Sequence, residues 1–156
     1  MSENRKPSRR QALRHTAVLA GLLAATGLFP QFARAYSVQA FNAKTIQDAL
    51  TALGAGTLTE SADVLLSGPD IAENGAVVPF AISTTLTGVK RLLLLVEKNP
   101  VSLVALFNVS AAIEPAFSIR AKLAQSTGVY AVAVMDDGRA LYARRDVRVT
   151  LGSCGN

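Results

Sequence analysis

The sequence predicts an all-β chain, an immunoglobulin-like sandwich of about seven strands with a short N-terminal helix. Two observations carry this. After Gly54-Ala55-Gly56 the apolar period changes from helical to two. From there, turn residues punctuate the chain every 8–15 residues: Gly68-Pro69, Asn99-Pro100, Glu114-Pro115 and Asp136-Asp137-Gly138.

The helix is expected over residues 42–53. Ile46, Ala49, Leu50 and Leu53 fall on one face, Asn42 is placed to cap the start, and Gly54 fits the stop. The strands are expected at Ala62–Ser67, Ala76–Leu86, Val89–Glu97, Val101–Ser110, Ala116–Leu123, Val129–Asp136 and Arg139–Leu151. Pro79 lies inside the second of these, so that strand is expected at a sheet edge or at a bulge. Asp136-Asp137-Gly138 reads as a hairpin turn. In the last strand, Leu141, Ala143, Val147, Val149 and Leu151 share one side, with Arg145 as the exception. Tyr142, Arg144, Asp146, Arg148 and Thr150 share the other.

Two strands are too apolar for one buried face. Leu92-Leu93-Leu94-Leu95-Val96 is apolar throughout. In the next strand Val101, Leu103, Ala105, Phe107 and Val109 are assigned to one face, with Val104 and Leu106 on the other. The second faces are covered either by the N-terminal helix or by a partner chain.

Charge divides the chain near residue 35. Residues 1–35 hold six basic residues and one acid, and residues 36–156 hold 10 of each sign. The basic pI therefore belongs to the leader, and a nucleic-acid interface on the folded part is disfavoured. The single histidine, His15, is in the leader, and the chain has no tryptophan. Downstream of it, histidine general bases, Ser-His-Asp triads and histidine-ligated metals are excluded within this chain.

The leader itself has an export pattern. Ser8-Arg9-Arg10-Gln11-Ala12-Leu13-Arg14 is a twin-arginine segment, followed by an apolar run from Ala17 to Phe29 and by Ala33-Arg34-Ala35. The run is short against the ~20 residues of a membrane span. The expectation is a signal peptide over residues 1–35, cleaved before Tyr36, and a periplasmic product. The twin-arginine route carries folded proteins. With no cofactor motif in the chain, an obligate partner that rides along is the other reason to fold first.

Three polar motifs have ordinary readings. Asp136-Asp137 invites a metal or acid–base role, but turn aspartates serve local hydrogen bonding. Arg144-Arg145-Asp146-Val147-Arg148 has the composition of an anion site and equally of a solvated strand face. Asn108-Val109-Ser110 matches a glycosylation sequon that a bacterial-type leader makes irrelevant.

Cys154 is different. It is the sole cysteine, so it closes no internal disulfide, and it stands in Gly152-Ser153-Cys154-Gly155-Asn156, after the last strand. Between glycines it has no core to join, which leaves an intermolecular link or a reactive thiol. Gly152 and Gly155 remove bulk and admit either sign of φ. From Leu151 to Cys154 the chain spans at most ~10 Å. The nearest cation in sequence, Arg148, is six residues back. The thiol thus has no activator of its own and reads as an attachment point that other enzymes act on. A thioredoxin-like or peroxidase cysteine would open a helix, which this one does not.

The twin-arginine leader, the histidine-free β-rich body and the ending Val149-Thr150-Leu151-Gly152-Ser153-Cys154-Gly155-Asn156 together resemble the SoxY family. That family comprises the sulfur carriers of the Sox thiosulfate-oxidising system. Ser153 and Asn156 stand where its arm typically has glycine. The resemblance implies an immunoglobulin-like SoxY domain over residues 36–151 and a swinging arm over 152–156. It implies covalent sulfur attachment at Cys154, with neither a catalytic residue nor a bound metal or cofactor. It also implies a SoxZ partner in a SoxYZ heterodimer. Loading would fall to the cytochrome SoxAX, sulfate release to the hydrolase SoxB, and further oxidation to a sulfane dehydrogenase. A competing reading is an exported structural β-sandwich cross-linked through Cys154.

Overall fold

The computed structural model describes residues 38–151. Residues 1–37, with the expected signal peptide, and residues 152–156, with the expected arm, lie outside the described residues. The body is all-β, as expected, with nine strands rather than about seven.

The N-terminal segment begins with one helical turn over residues 38–41, followed by helix α1 (Ile46–Ala52). The cap is Thr45 and not Asn42: the Asp48 backbone N–H donates to Thr45 Oγ1 at 3.1 Å. Asn42 instead ends the preceding turn, its N–H reaching Val38 and Gln39 carbonyls. The stop is as expected. Gly54 has φ +68°, a value only glycine adopts without strain. A seven-residue helix is marginal alone, so packing must hold it.

The strands are β1 (Leu58–Glu60), β2 (Val64–Ser67), β3 (Ile71–Asn74), β4 (Val78–Thr84), β5 (Val89–Val96), β6 (Leu103–Asn108), β7 (Ala116–Ala121), β8 (Thr127–Met135) and β9 (Ala140–Leu151). They form two sheets. The larger runs β1-β9-β8-β5-β6, with β3 also on β9, and the smaller runs β2-β4-β7. All seven expected strands are present. The two additional ones, β1 and β3, are three and four residues long and pair in parallel with the start and the end of β9. Both are short edge strands in which only Leu58 and Ala72 turn inward, so no apolar alternation marks them.

Leu92, Leu94 and Val96 of β5 face the smaller sheet, together with Val129, Ala131, Ala133, Phe80, Ile82 and Leu123. Leu93 and Leu95 face the other way, against Ala49, Leu50 and Leu53 of the helical segment and Val132 and Val134 of β8. Leu92 to Val96 are all 0% exposed, so the helix is what covers the second face. The cover is fastened by polar contacts. Buried Ser102 donates its N–H to Ala43 O at 2.9 Å and its hydroxyl to Lys44 O at 2.8 Å. Arg91 Nη1 donates to Leu53 O at 2.9 Å, supplying a cation at the helix C-terminus.

The assigned faces of β6 need correction. Leu94 pairs with Ala105 but Leu95 pairs with Leu103, so the register shifts by one residue at Val104. This bulge inverts the phase: Val104, Ala105, Phe107 and Val109 pack between the sheets, while Leu103 and Leu106 join the helix side. Phe107 stacks on Phe117 of β7 with centroids 4.1 Å apart.

The expectation for Pro79 also changes. Its strand, β4, is the middle strand of three. However, β2 ends at Ser67, opposite Ala81, and the Pro79 carbonyl faces Gly68 beyond that end. The side of Pro79 that lacks an N–H therefore faces no strand, and no ladder bond is lost.

The hairpin at Asp136-Asp137-Gly138 forms as expected, with Gly138 at φ +87° and the Met135 N–H donating to Arg139 O at 2.9 Å. Replacing Leu93 with alanine should destabilise the fold by about 2–5 kcal/mol, because this side chain is enclosed on every side. Leu50→Ala, across the same contact, should cost a similar amount. Urea unfolding of both variants checks this. A loss under ~1 kcal/mol for either would show that the helix does not hold the second face.

Candidate functional site

The sequence points to Cys154, which lies outside the described residues together with Gly152, Ser153, Gly155 and Asn156. The structure describes the base from which that tail leaves, the last turn of pairing on β9.

β9 pairs with β8 from Ala140 to Val147. Beyond Val147, β8 has ended and other groups take over. On one side β3 runs parallel, with Arg148, Val149 and Leu151 opposite Ile71, Ala72 and Asn74. The Arg148 N–H donates to Asp70 O at 2.9 Å, and Thr150 Oγ1 donates to Glu73 O at 2.9 Å. On the other side the Val149 N–H donates to Ser126 Oγ at 2.9 Å. A side-chain hydroxyl thus continues the ladder that β8 leaves off. The strand is held on both flanks to within a few residues of Cys154.

Arginines surround this base. Arg144 Nη2 lies 2.6 Å from Asp146 Oδ1 and 3.9 Å from Glu97 Oε2, with its guanidinium 5.6 Å from the centre of the Tyr130 ring. Arg144 is charged with or without these contacts, as any guanidinium is. Its pKa is raised, the neighbouring Tyr130, Asp146 and Glu97 outweighing an opposing desolvation. Arg145, the exception in the alternation, points to the inner side and pairs with Asp70 at 2.5 Å. Its Nε is buried without a partner. The long side chain explains how a charge occupies a core-facing position: it runs past the sheet edge to a carboxylate in water. Arg148 is exposed and takes part in no ion pair among the described residues. Arg144 is thus paired with Asp146 on the outer side and Arg145 with Asp70 on the inner, which leaves Arg148 as the uncommitted cation of this group.

Tyr130 is no more reactive than the arginines. Burial pushes its phenol pKa up, so the hydroxyl stays neutral at ordinary pH. Asp137 is confirmed as a turn residue: its carboxylate accepts the Arg139 N–H at 3.0 Å and Nε at 2.7 Å. These bonds, the backbone one first, hold its pKa below the usual carboxylate range. Asn108 is exposed at the end of β6. Among the described residues no three His, Cys, Asp or Glu side chains gather to hold a metal, and no helix is long and apolar enough to cross a membrane.

A family model described as "Sulfur oxidation protein SoxY" matches residues 49–154. The match covers more than half of the chain, and its last residue is Cys154. The chain belongs to the SoxY family.

A solved structure agrees with this. The sulfur carrier protein SoxY from Chlorobium limicola f thiosulfatophilum is 30% identical, with a TM-score of 0.62 over 69% of this chain and 97% of that one. A superoxide reductase (neelaredoxin) from Ignicoccus hospitalis has a TM-score of 0.51 at 14% identity, over 59% of this chain and 94% of that one. That likeness is one of fold alone. Among curated proteins none matches the chain. Membership makes the chain a sulfur-oxidation protein of the carrier type rather than a catalyst.

Sequence reasoning found the cysteine but not the groups that fix its base. Ser126 and β3 carry no signal in one dimension, because each acts only through a strand distant in sequence. Ser126→Ala should leave the Val149 N–H without its partner. The expected loss is about 1 kcal/mol of stability, with faster hydrogen exchange at Val149 and little change at Val132. Exchange followed by NMR checks both amides.

Proposed function

We propose that this SoxY-family protein is a covalent sulfur carrier, with Cys154 as the atom-bearing site. The observation that carries the proposal is the coincidence of three facts at one residue. Cys154 is the sole cysteine, the family match runs up to it, and it follows within three residues a strand anchored on both sides.

The chemistry follows from a thiol on a short tether. Loading joins the thiol to the outer sulfur of thiosulfate: R–SH + S₂O₃²⁻ gives R–S–S–SO₃⁻, one proton and two electrons. The electrons need an acceptor, the role of a c-type cytochrome such as SoxAX. Hydrolysis then adds water to the sulfonate, releasing sulfate and a proton and leaving the persulfide R–S–SH. That step suits a metallohydrolase such as SoxB, and a sulfane dehydrogenase takes the persulfide further. The carrier supplies none of these catalytic groups. It supplies a thiol without an activating neighbour in sequence, which limits reaction away from the enzymes.

Gly152 and Gly155 keep the tail narrow enough to enter an enzyme channel, and Ser153 and Asn156 preserve that within small side chains. A rigid base and a tail of ~10 Å allow presentation of the sulfur without moving the sandwich. In the same reading, residues 1–35 are a twin-arginine signal, the site of action is the periplasm, and a SoxZ chain travels with the folded carrier as a heterodimer. An exported sandwich cross-linked through Cys154 remains the competing reading, and the same measurement separates the two.

Intact mass spectrometry without reductant, on protein from cells oxidising thiosulfate, should find a reductant-sensitive sulfur adduct on Cys154. Cys154→Ser should lose the adduct and the thiosulfate-dependent electron flow while keeping its unfolding midpoint. A Cys154 found only as a free thiol or a fixed link to another chain, with thiosulfate turning over, would overturn the assignment.

A further inference from the structure

Asn74-Gly75 is the sole Asn-Gly step in the sequence. It closes β3 at the root of the tail, where Asn74 stands opposite Leu151 of β9. The side-chain amide carbon of an asparagine is open to attack by the backbone nitrogen of the next residue. Glycine allows this most readily, because no Cβ crowds the approach.

The local structure favours that attack at Asn74 and opposes it elsewhere. Asn74 is exposed, and its Oδ1 accepts the Ala76 N–H at 2.8 Å. This bond closes a local turn around the Gly75 nitrogen and draws electrons from the amide carbon. No backbone carbonyl among the described residues accepts the Gly75 N–H. After Asn42, by contrast, the Ala43 N–H is committed to Ala40 O, and after Asn108 the Val109 N–H is committed to Lys90 O. Asn99 precedes Pro100, which has no N–H. Both ends of its amide are also engaged, Nδ2 with Lys122 O and Oδ1 with the Ala124 N–H. The Asp137-Gly138 step has the same glycine, but Arg139 holds its carboxylate ionised, and an ionised carboxylate is a poor electrophile.

We propose that Asn74 is a site of spontaneous deamidation that loosens the root of the tail. The Gly75 nitrogen loses its proton and bonds to Asn74 Cγ, and the side-chain nitrogen leaves as ammonia, which gives a cyclic imide. Water opens either carbonyl of that ring, to aspartate or to isoaspartate. The net change is amide plus water to carboxylate plus ammonium, with no oxidant, reductant or enzyme required. Either product puts a new negative charge at the end of β3. Isoaspartate also routes the main chain through Cβ, which adds an atom between Asn74 and Gly75. That step is confined on both sides, by the Asn74–Leu151 pair and by the Leu123 N–H, which donates to Gly75 O at 2.7 Å. The longer backbone cannot keep both. β3 is a four-residue edge strand with few bonds to spare, so it gives way and releases its side of β9. The chemistry stands independently of the carrier reading.

Ageing the full chain at neutral and mildly alkaline pH tests this, with peptide mapping by mass spectrometry and labelling by an isoaspartyl methyltransferase. Conversion at Asn74 should run about tenfold or more faster than at Asn108, whose next residue is β-branched. It should speed up with pH, because the attacking nitrogen must lose its proton. Asn74→Gln should carry no label at this position, and Asn74→Ser serves if that variant does not fold. The converted protein, separated by its added charge, then goes to hydrogen exchange. The Arg148 N–H donates to Asp70 O, so the Thr150 N–H, two residues on, faces β3 as well. Exchange at Thr150 should be faster in the converted protein and unchanged at Val132. Conversion at Asn74 no faster than at Asn108 would overturn the proposal. So would isoaspartate at Asn74 that leaves exchange at Thr150 as it was.

Discussion

Five consecutive residues of β5, Leu92 to Val96, have no contact with water. Successive side chains of a strand point to opposite faces, so this one segment requires two covering layers. The smaller sheet provides one and the helical segment the other. Each buried leucine contributes about 2 kcal/mol against exposure, so neither layer is dispensable. The rest of the architecture follows from that demand. It explains why a seven-residue helix persists, why Ser102 is buried where it can hold Ala43 and Lys44, and why Arg91 reaches over the helix end.

The doubly covered sheet also gives the protein its stiffness without a disulfide. The single cysteine closes no internal disulfide. β9 lies beside β8 in this sheet and runs on past it, so its far end needs separate support. β3 and Ser126 supply it with backbone and hydroxyl hydrogen bonds rather than with bulk. A carrier benefits from such a base. The described end of β9, from which the tail leaves, is held on both flanks.

The charged residues divide into those already used and those left over. Arg144, Arg145 and Asp137 are committed to local partners. Glu114, Arg120 and Lys122 join no ion pair among the described residues.

By itself the sequence determined the β class, the positions of seven strands, the hairpin at Asp136-Asp137-Gly138 and the singular position of Cys154. These are local properties: period two, turn chemistry and the identity of one residue. Even there it misplaced the helix start, because both Asn42 and Thr45 are competent caps and only the packing of Ala49 and Leu50 chooses between them. It placed Ala105, Phe107, Val109 and Leu106 of β6 correctly but exchanged the faces of Leu103 and Val104, because the register shift at Val104 exists only against β5. The tertiary structure alone decided that β1 and β3 are strands, that Pro79 is tolerated mid-sheet because β2 stops short, and that Ser126 completes the base of the tail. Each of these depends on what stands opposite in space. Backbone hydrogen bonding between strands leaves no periodic trace in the sequence of a short polar segment, whereas burial of a side chain does.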